Sequence, residues 1–161
     1  MIRQVETADV EAITSIYNEY IGNSTITFET EPLTSEMMQS RIVEISASFP
    51  YFVFENADGT IEGYCYAHHW KSRAAYDETL ETTVYLAPDF IGKGIGKALM
   101  QRLIDECRFK GYHALIACIT AENQSSRSFH EKLGFKQVSH FVEVGQKFGR
   151  QLDVFDYELL L

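Results

Sequence analysis

Basic residues, long apolar runs and metal-binding spacings are all scarce in this chain. Its 14 Lys and Arg stand against 23 Asp and Glu, a formal net charge of −9, and no block of basic residues offsets it. That balance argues against a nucleic-acid partner. Ala114–Ile119 is among the longest apolar runs, far short of the roughly 18 residues a membrane span needs, so no membrane partner is expected. The chain opens on Ile2-Arg3-Gln4-Val5 without an apolar signal-like segment, so no secretory signal is expected. The three cysteines, Cys65, Cys107 and Cys118, are odd in number and lack C-x-x-C spacing. They read as buried free thiols in a reducing cytoplasm. Five histidines show no H-E-x-x-H, and the adjacent His68 and His69 would point opposite ways on a strand, so no metal site is expected.

What is present suffices for one domain. A chain of 161 residues with 45% hydrophobic content can bury a proper core, and residues 1–161 read as a single unit. Periodicity predicts a short strand at Ile2–Val5 and a helix over Asp9–Tyr20 with Val10, Ile13, Ile16, Tyr17 and Tyr20 on one face. Thr34 is placed to cap a second helix carrying Met37, Met38, Ile42 and Ile45. Strands follow at Tyr51–Phe54, Ile61–Trp70 and Thr79–Leu86, with a hairpin signal at Asn56-Ala57-Asp58-Gly59. A third helix with Ile95, Leu99, Leu103, Ile104 and Cys107 on one side stops at Gly111. After it come a buried strand at Leu115–Ile119, a short helix over Ser125–Leu133 capped by Gly134, and strands at Phe135–Glu143 and Leu152–Leu159.

The most informative segment is Val84-Tyr85-Leu86-Ala87-Pro88-Asp89-Phe90-Ile91-Gly92-Lys93-Gly94-Ile95-Gly96-Lys97. Glycines at 92, 94 and 96 permit a tight turn with uncovered N–H groups, and the helix that follows adds its unpaired first-turn donors and dipole. Together these form a receptor for phosphate oxygens. It is not a Walker loop, because only three residues separate Gly92 from Gly96-Lys97 and Ala98 supplies no hydroxyl. Nor does G-x-G-x-G match a dinucleotide fingerprint. By itself the segment is also compatible with a strand-to-helix turn that binds nothing.

The segment resembles motif A of the GNAT acetyltransferases, whose loop reads Gln/Arg-x-x-Gly-x-Gly/Ala. Gly94 and Gly96 fall on the glycine positions, and Ile91 departs from the Gln/Arg position. Asn123-Gln124-Ser125-Ser126 through His130-Glu131-Lys132-Leu133-Gly134-Phe135 resembles motif B of the same family. The element order over nearly the whole chain is likewise similar. The resemblance implies an α/β (α+β) GNAT fold, a mixed, mostly antiparallel sheet of about seven strands with helices on both faces. It also implies acetyl-coenzyme A held by Val84, Tyr85, Leu86, Gly92, Lys93, Gly94, Ile95, Gly96, Lys97, Asn123 and Ser126.

Thr27-Phe28-Glu29-Thr30-Glu31-Pro32, Trp70-Lys71-Ser72-Arg73-Ala74-Ala75-Tyr76 and Glu81-Thr82-Thr83-Val84-Tyr85 together resemble a narrower branch. That branch acetylates phosphinothricin and methionine sulfoximine or sulfone, and it is commonly dimeric. The reaction needs an amine free of its proton, since an ammonium cannot attack a thioester. Glu81, on the strand leading to the glycine loop, is the candidate base. His130, where most of the family has tyrosine and this branch has histidine, is the candidate proton donor to the departing thiolate. Lys71 and Arg73, with Tyr76, are candidates for the anionic end of a small amine substrate, and Phe28 and Thr83 for the pocket wall. A protein or peptide N-acetyltransferase and a non-catalytic acyl-coenzyme A sensor remain open as alternatives.

Overall fold

The computed structural model describes residues 1–161. The chain runs β1 (Ile2–Gln4), α1 (Val10–Asn23), α2 (Ser35–Ser46), β2 (Tyr51–Glu55), β3 (Ile61–His69), β4 (Thr79–Leu86), α3 (Ile95–Phe109), β5 (Ala114–Thr120), α4 (Gln124–Lys132), β6 (Lys136–Gln137), β7 (Phe141–Lys147) and β8 (Arg150–Leu160). The strands form one sheet in the order β1-β2-β3-β4-β5-β8-β6, with β7 also on β8. Every neighbouring pair is antiparallel except β4 with β5.

Local chemistry accounts for the element ends. Thr34 accepts a hydrogen bond from the Met37 N–H and so caps α2. Before α1, the buried Asp9 carboxylate takes a two-pronged bond from the Arg3 guanidinium, at 2.7 and 2.8 Å, and accepts from the Glu6 N–H. Alternation along the strands then divides the apolar residues between two faces. Phe52, Cys65, Ala67, Leu80, Leu115, Ala117 and Ile119 pack with Leu99, Met100 and Leu103 of α3. Tyr51, Val53 and Tyr64 pack on the other face with Ile13, Ile16, Met38 and Ile42 of α1 and α2. No helix is long and apolar enough to cross a membrane.

Two departures from the sequence reading have clear causes. The strand expected over Phe135–Glu143 breaks into β6 and β7, giving eight strands rather than about seven. At the break the Ser139 hydroxyl accepts from the Asp156 N–H at 2.9 Å, and β7 itself then bulges against β8 between Phe141 and Gly145, with Glu143 at φ 53. Cys65 and Cys107 are buried as expected, but Cys118 is exposed. On β5 it alternates with Ala117 and Ile119, which enter the α3 core, so its side chain takes the face opposite α3.

The β3–β4 pair contains one position that must be glycine. A Cβ on Gly63 would lie 2.4 Å from Leu86 Cδ2 and 2.9 Å from the Tyr85 carbonyl oxygen. Gly63→Ala is therefore expected to force overpacking worth about 1–3 kcal/mol and to lower the thermal midpoint by several degrees, read by calorimetry. An unchanged midpoint would mean that the two strands separate freely at this point.

Candidate active site

Strands β4 and β5 pair only at Thr79–Ala114, Leu80–Leu115 and Glu81–Ile116. Beyond that point β4 stays on β3 as far as Leu86, and β5 stays on β8 as far as Thr120. The last ladder position is closed by a side chain, with the Thr82 hydroxyl donating to the Ile116 carbonyl at 3.3 Å. The two strands then part. The Ala87 N–H bonds the Glu62 carbonyl across β3. The alternation of an antiparallel pair therefore aims the backbone groups of residues 82, 84 and 86 towards β5. The Leu86 carbonyl is taken by the Tyr20 hydroxyl at 2.5 Å.

A cleft of about 340 Å³ occupies this opening, lined by Glu81 through Tyr85 of β4 and Ala117 through Thr120 of β5. Tyr66 and His68 of β3, Tyr17 of α1, Asn123, Ser126 and His130 at α4, and Val154 of β8 complete the walls. Ile26, Thr27 and Phe28, from the segment between α1 and α2, form the remaining wall. That segment is tied down at several points. Lys147 Nζ donates to the Thr27 carbonyl at 2.8 Å, and the Thr120 hydroxyl donates to the Thr25 carbonyl at 2.6 Å. Tyr17 and Thr27 share a hydroxyl–hydroxyl bond at 2.8 Å. Phe28 lies over Gly145, where a Cβ would come within 2.1 Å of the ring.

Glu81 sits where the strands begin to part, beside His68, its register partner on β3. Burial pushes its carboxyl above the ordinary carboxylate value. The neighbouring His68 opposes that rise, the Asp156 charge adds to it, and a hydrogen bond with the Cys118 thiol opposes it. His130 is only 4% exposed, and burial lowers its pKa, favouring the neutral ring. Its Nδ1 lies 2.8 Å from the Ser126 carbonyl oxygen. Since a carbonyl only accepts, Nδ1 carries the proton and Nε2 presents a lone pair. The resting ring is thus an acceptor, and it can protonate a thiolate only after gaining a proton itself.

The glycine loop has the backbone expected of it. Gly92 and Gly94 lie at φ 82 and 83, and Gly94 starts α3 without a side-chain cap. The first-turn N–H groups of Ile95, Gly96 and Lys97 are thereby left for a ligand. A Cβ on Gly96 would lie 3.4 Å from Leu86 Cδ1 and 3.6 Å from Phe129 Cζ, while Lys93 lies over the Phe90 ring. Asn123 caps α4 through the Ser126 N–H.

Of the residues singled out from sequence, the fold brings Phe28, Glu81, Thr83, Val84, Tyr85, Asn123, Ser126 and His130 to one cleft. It does not bring Lys71, Arg73 or Tyr76 to the walls. Lys71 and Arg73 are exposed on the β3–β4 connection, and the Lys71 ammonium is engaged over the rings of Trp70 and Tyr76, at 4.0 and 5.2 Å. Tyr17, Tyr66, His68 and Cys118 line the cleft without having been picked out. His68 and Tyr66 share the cleft face of β3 with period two, a signal that needs the β3–β4 register before it can be used.

If the loop holds a pyrophosphate, Gly94→Val is expected to weaken acetyl-coenzyme A binding at least about tenfold by calorimetric titration, roughly 1.4 kcal/mol. A β-branched residue is strained at this φ and covers the donors. Ile91→Arg should leave affinity equal or slightly higher. Unchanged affinity in folded Gly94→Val would place the pyrophosphate elsewhere.

Comparison with known proteins agrees with this geometry. The family model for the acetyltransferase (GNAT) domain matches residues 2–155. A phosphinothricin N-acetyltransferase of Alcaligenes faecalis is 40% identical over 94% of this chain and 78% of its own. An L-methionine sulfoximine/L-methionine sulfone acetyltransferase of Pseudomonas aeruginosa is 34% identical over 95% of this chain and 90% of its own. The crystal structure of a GNAT superfamily phosphinothricin acetyltransferase from Sinorhizobium meliloti, in complex with AcCoA, superposes with a TM-score of 0.97. Its sequence identity is 35%, over 100% of this chain and 88% of that one. With the sheet, the parted strands and the glycine loop all in agreement, the chain belongs to the GNAT acetyltransferase family.

Proposed function

We propose that residues 1–161 act as one domain that moves the acetyl group of acetyl-coenzyme A onto the α-amine of a small amino-acid-like substrate. Phosphinothricin, methionine sulfoximine and methionine sulfone are the substrate type, as the names of the relatives suggest. The observation that carries this reading is the placement of Glu81, a carboxylate of raised proton affinity at the fork of β4 and β5. The N–H donors at the start of α3, with Lys93 and Lys97 beside them, suit the pyrophosphate. The free backbone groups of Val84 suit the amide-bearing arm, which would lie along β4 as an added strand. Thr83, Tyr66 and Phe28 face the acceptor. Lys71 and Arg73 support an anionic acceptor end by long-range attraction rather than contact.

In the proposed step, Glu81 takes a proton from the substrate ammonium, directly or through water. The freed amine attacks the thioester carbon, the tetrahedral intermediate collapses, and the carbon–sulfur bond breaks. The thiolate recovers a proton delivered through His130, which must first have been charged from the proton released on the acceptor side. Holding amine and thioester together in a ternary complex supplies much of the acceleration. No acyl-enzyme is invoked, because Cys118, the thiol lining the cleft, is held protonated by partial desolvation there and by its bond to Asp156.

A second copy of the chain is proposed as partner, supported by the exposed apolar residues Phe141, Val142 and Val144 on β7 and Phe148 beyond it. A reducing cytoplasmic setting is supported by three free thiols.

The test is Glu81→Gln with methionine sulfone as acceptor, following thiol release. At pH 7, kcat/KM is expected to fall about a hundredfold or more, the scale of a general base. Raising the pH towards the pKa of the acceptor amine should restore much of the loss, because free amine then forms unaided. Wild-type rates across the range would remove Glu81 from the mechanism.

A further inference from the structure

Behind Glu81 the sheet carries a second carboxylate that the reaction as written does not use. Cys118 and Asp156 are directly opposed in the β5–β8 register. Both belong to the sheet face that carries Glu81, since their neighbours Ala117, Ile119, Phe155 and Tyr157 enter the α3 core. The Cys118 Sγ lies 3.0 Å from Asp156 Oδ1. A carboxylate only accepts, so the thiol donates. Cys118 and Glu81 line the same cleft, and the Asp156 charge raises the proton affinity of Glu81. Through β5, the thiol thus lies between the strand of Glu81 and that of Asp156. The groups that face Glu81 are His68 and the Tyr66 phenol on β3, Cys118 on β5 and Asp156 on β8.

We propose that Cys118 and Asp156 are a positioning pair that sets the basicity of Glu81, with the Asp156 charge strengthening the base and the Cys118 thiol holding it in check. Neither residue touches the reacting atoms; both act through Glu81. A base placed in an apolar cleft needs a proton affinity well above that of an ordinary carboxylate to strip an ammonium near neutral pH. A like charge on the next-but-one strand supplies it without placing a second base in the cleft. By donating to Asp156, the thiol partly offsets that charge and so limits the rise at Glu81.

The arrangement gives the two side chains opposite signs, and that is what makes it testable. This inference rests on Glu81 being the base. In Asp156→Asn the amide oxygen still accepts from the thiol but the charge is gone. The acidic limb of kcat/KM against pH, with acetyl-coenzyme A and methionine sulfone, is expected to move down by at least about half a unit. In Cys118→Ala the donor is lost and Asp156 faces Glu81 unshared, so the limb is expected to move up. A role confined to packing would change the height of the profile and not its midpoint, and it would not give shifts of opposite sign. Glu81→Gln serves as the control. If it abolishes the limb while Asp156→Asn and Cys118→Ala leave the midpoint where it is, the pair has no such role and the base assignment stands. If Glu81→Gln retains the wild-type limb, Glu81 is not the titrating base and both readings fall.

Discussion

Strands β4 and β5 are held together as a parallel pair over three residues each, Thr79–Glu81 and Ala114–Ile116, and then separate while each stays bonded to its outer antiparallel neighbour. This geometry makes a site out of a sheet. Within a continuous ladder the backbone groups of Thr82, Val84 and Leu86 would satisfy those of β5, and no cleft would exist. Once the strands part, these groups must be met by something else. Tyr20 takes the Leu86 carbonyl, and the groups of Val84 are left for a ligand. Glu81, at the apex of the fork, is buried enough for its proton affinity to rise yet lines the cleft. The titration of this carboxyl therefore follows from the geometry of strand pairing.

Two further constraints make the fork useful. Glycine at 92 and 94, both at positive φ, delivers the chain from the end of β4 to the start of α3 with its first-turn donors uncovered. On the far side, α4 presents His130 with Nδ1 fixed on the Ser126 carbonyl. An acetyl donor laid along β4 would then have anion-binding donors at one end and a titratable carboxylate and imidazole at the other. These elements converge because β4 and β5 are neighbours in the sheet, with α3 following the one and α4 the other.

Much of this was legible before folding. The apolar spacing in α3, the Thr34 cap and the glycine loop each depend on neighbours within a few residues, and periodicity reads such relations well. Glu81 and His130 were legible through resemblance to a family, not through composition. What could not be read depends on register or on tertiary contact. The break between β6 and β7 falls at residues 138–140, where the Ser139 hydroxyl takes the Asp156 N–H of β8, which no local pattern announces. Cys118 looked like a core thiol because its neighbours are apolar, and only the helix coverage of each sheet face shows that it lies outside. Lys71 and Arg73 looked like substrate ligands because the Trp70–Tyr76 peptide resembles the branch and two cations would share a face of an extended segment. The chain turns after His69, and Lys71 settles over Trp70 and Tyr76 instead.

The wall formed by Ile26, Thr27 and Phe28 is fastened by groups far along the chain, Thr120 and Lys147, the latter 120 residues beyond its acceptor. A chain emerging from the ribosome can therefore assemble α1, α2 and the first strands long before anything holds that wall in place. The glycine loop is complete by residue 97, but the acceptor side of the cleft must wait for the closing hairpin. Such late, long-range closure is costly in chain entropy and slow. Synthesis itself thus imposes an order of assembly, with the glycine loop preceding the wall of Ile26, Thr27 and Phe28.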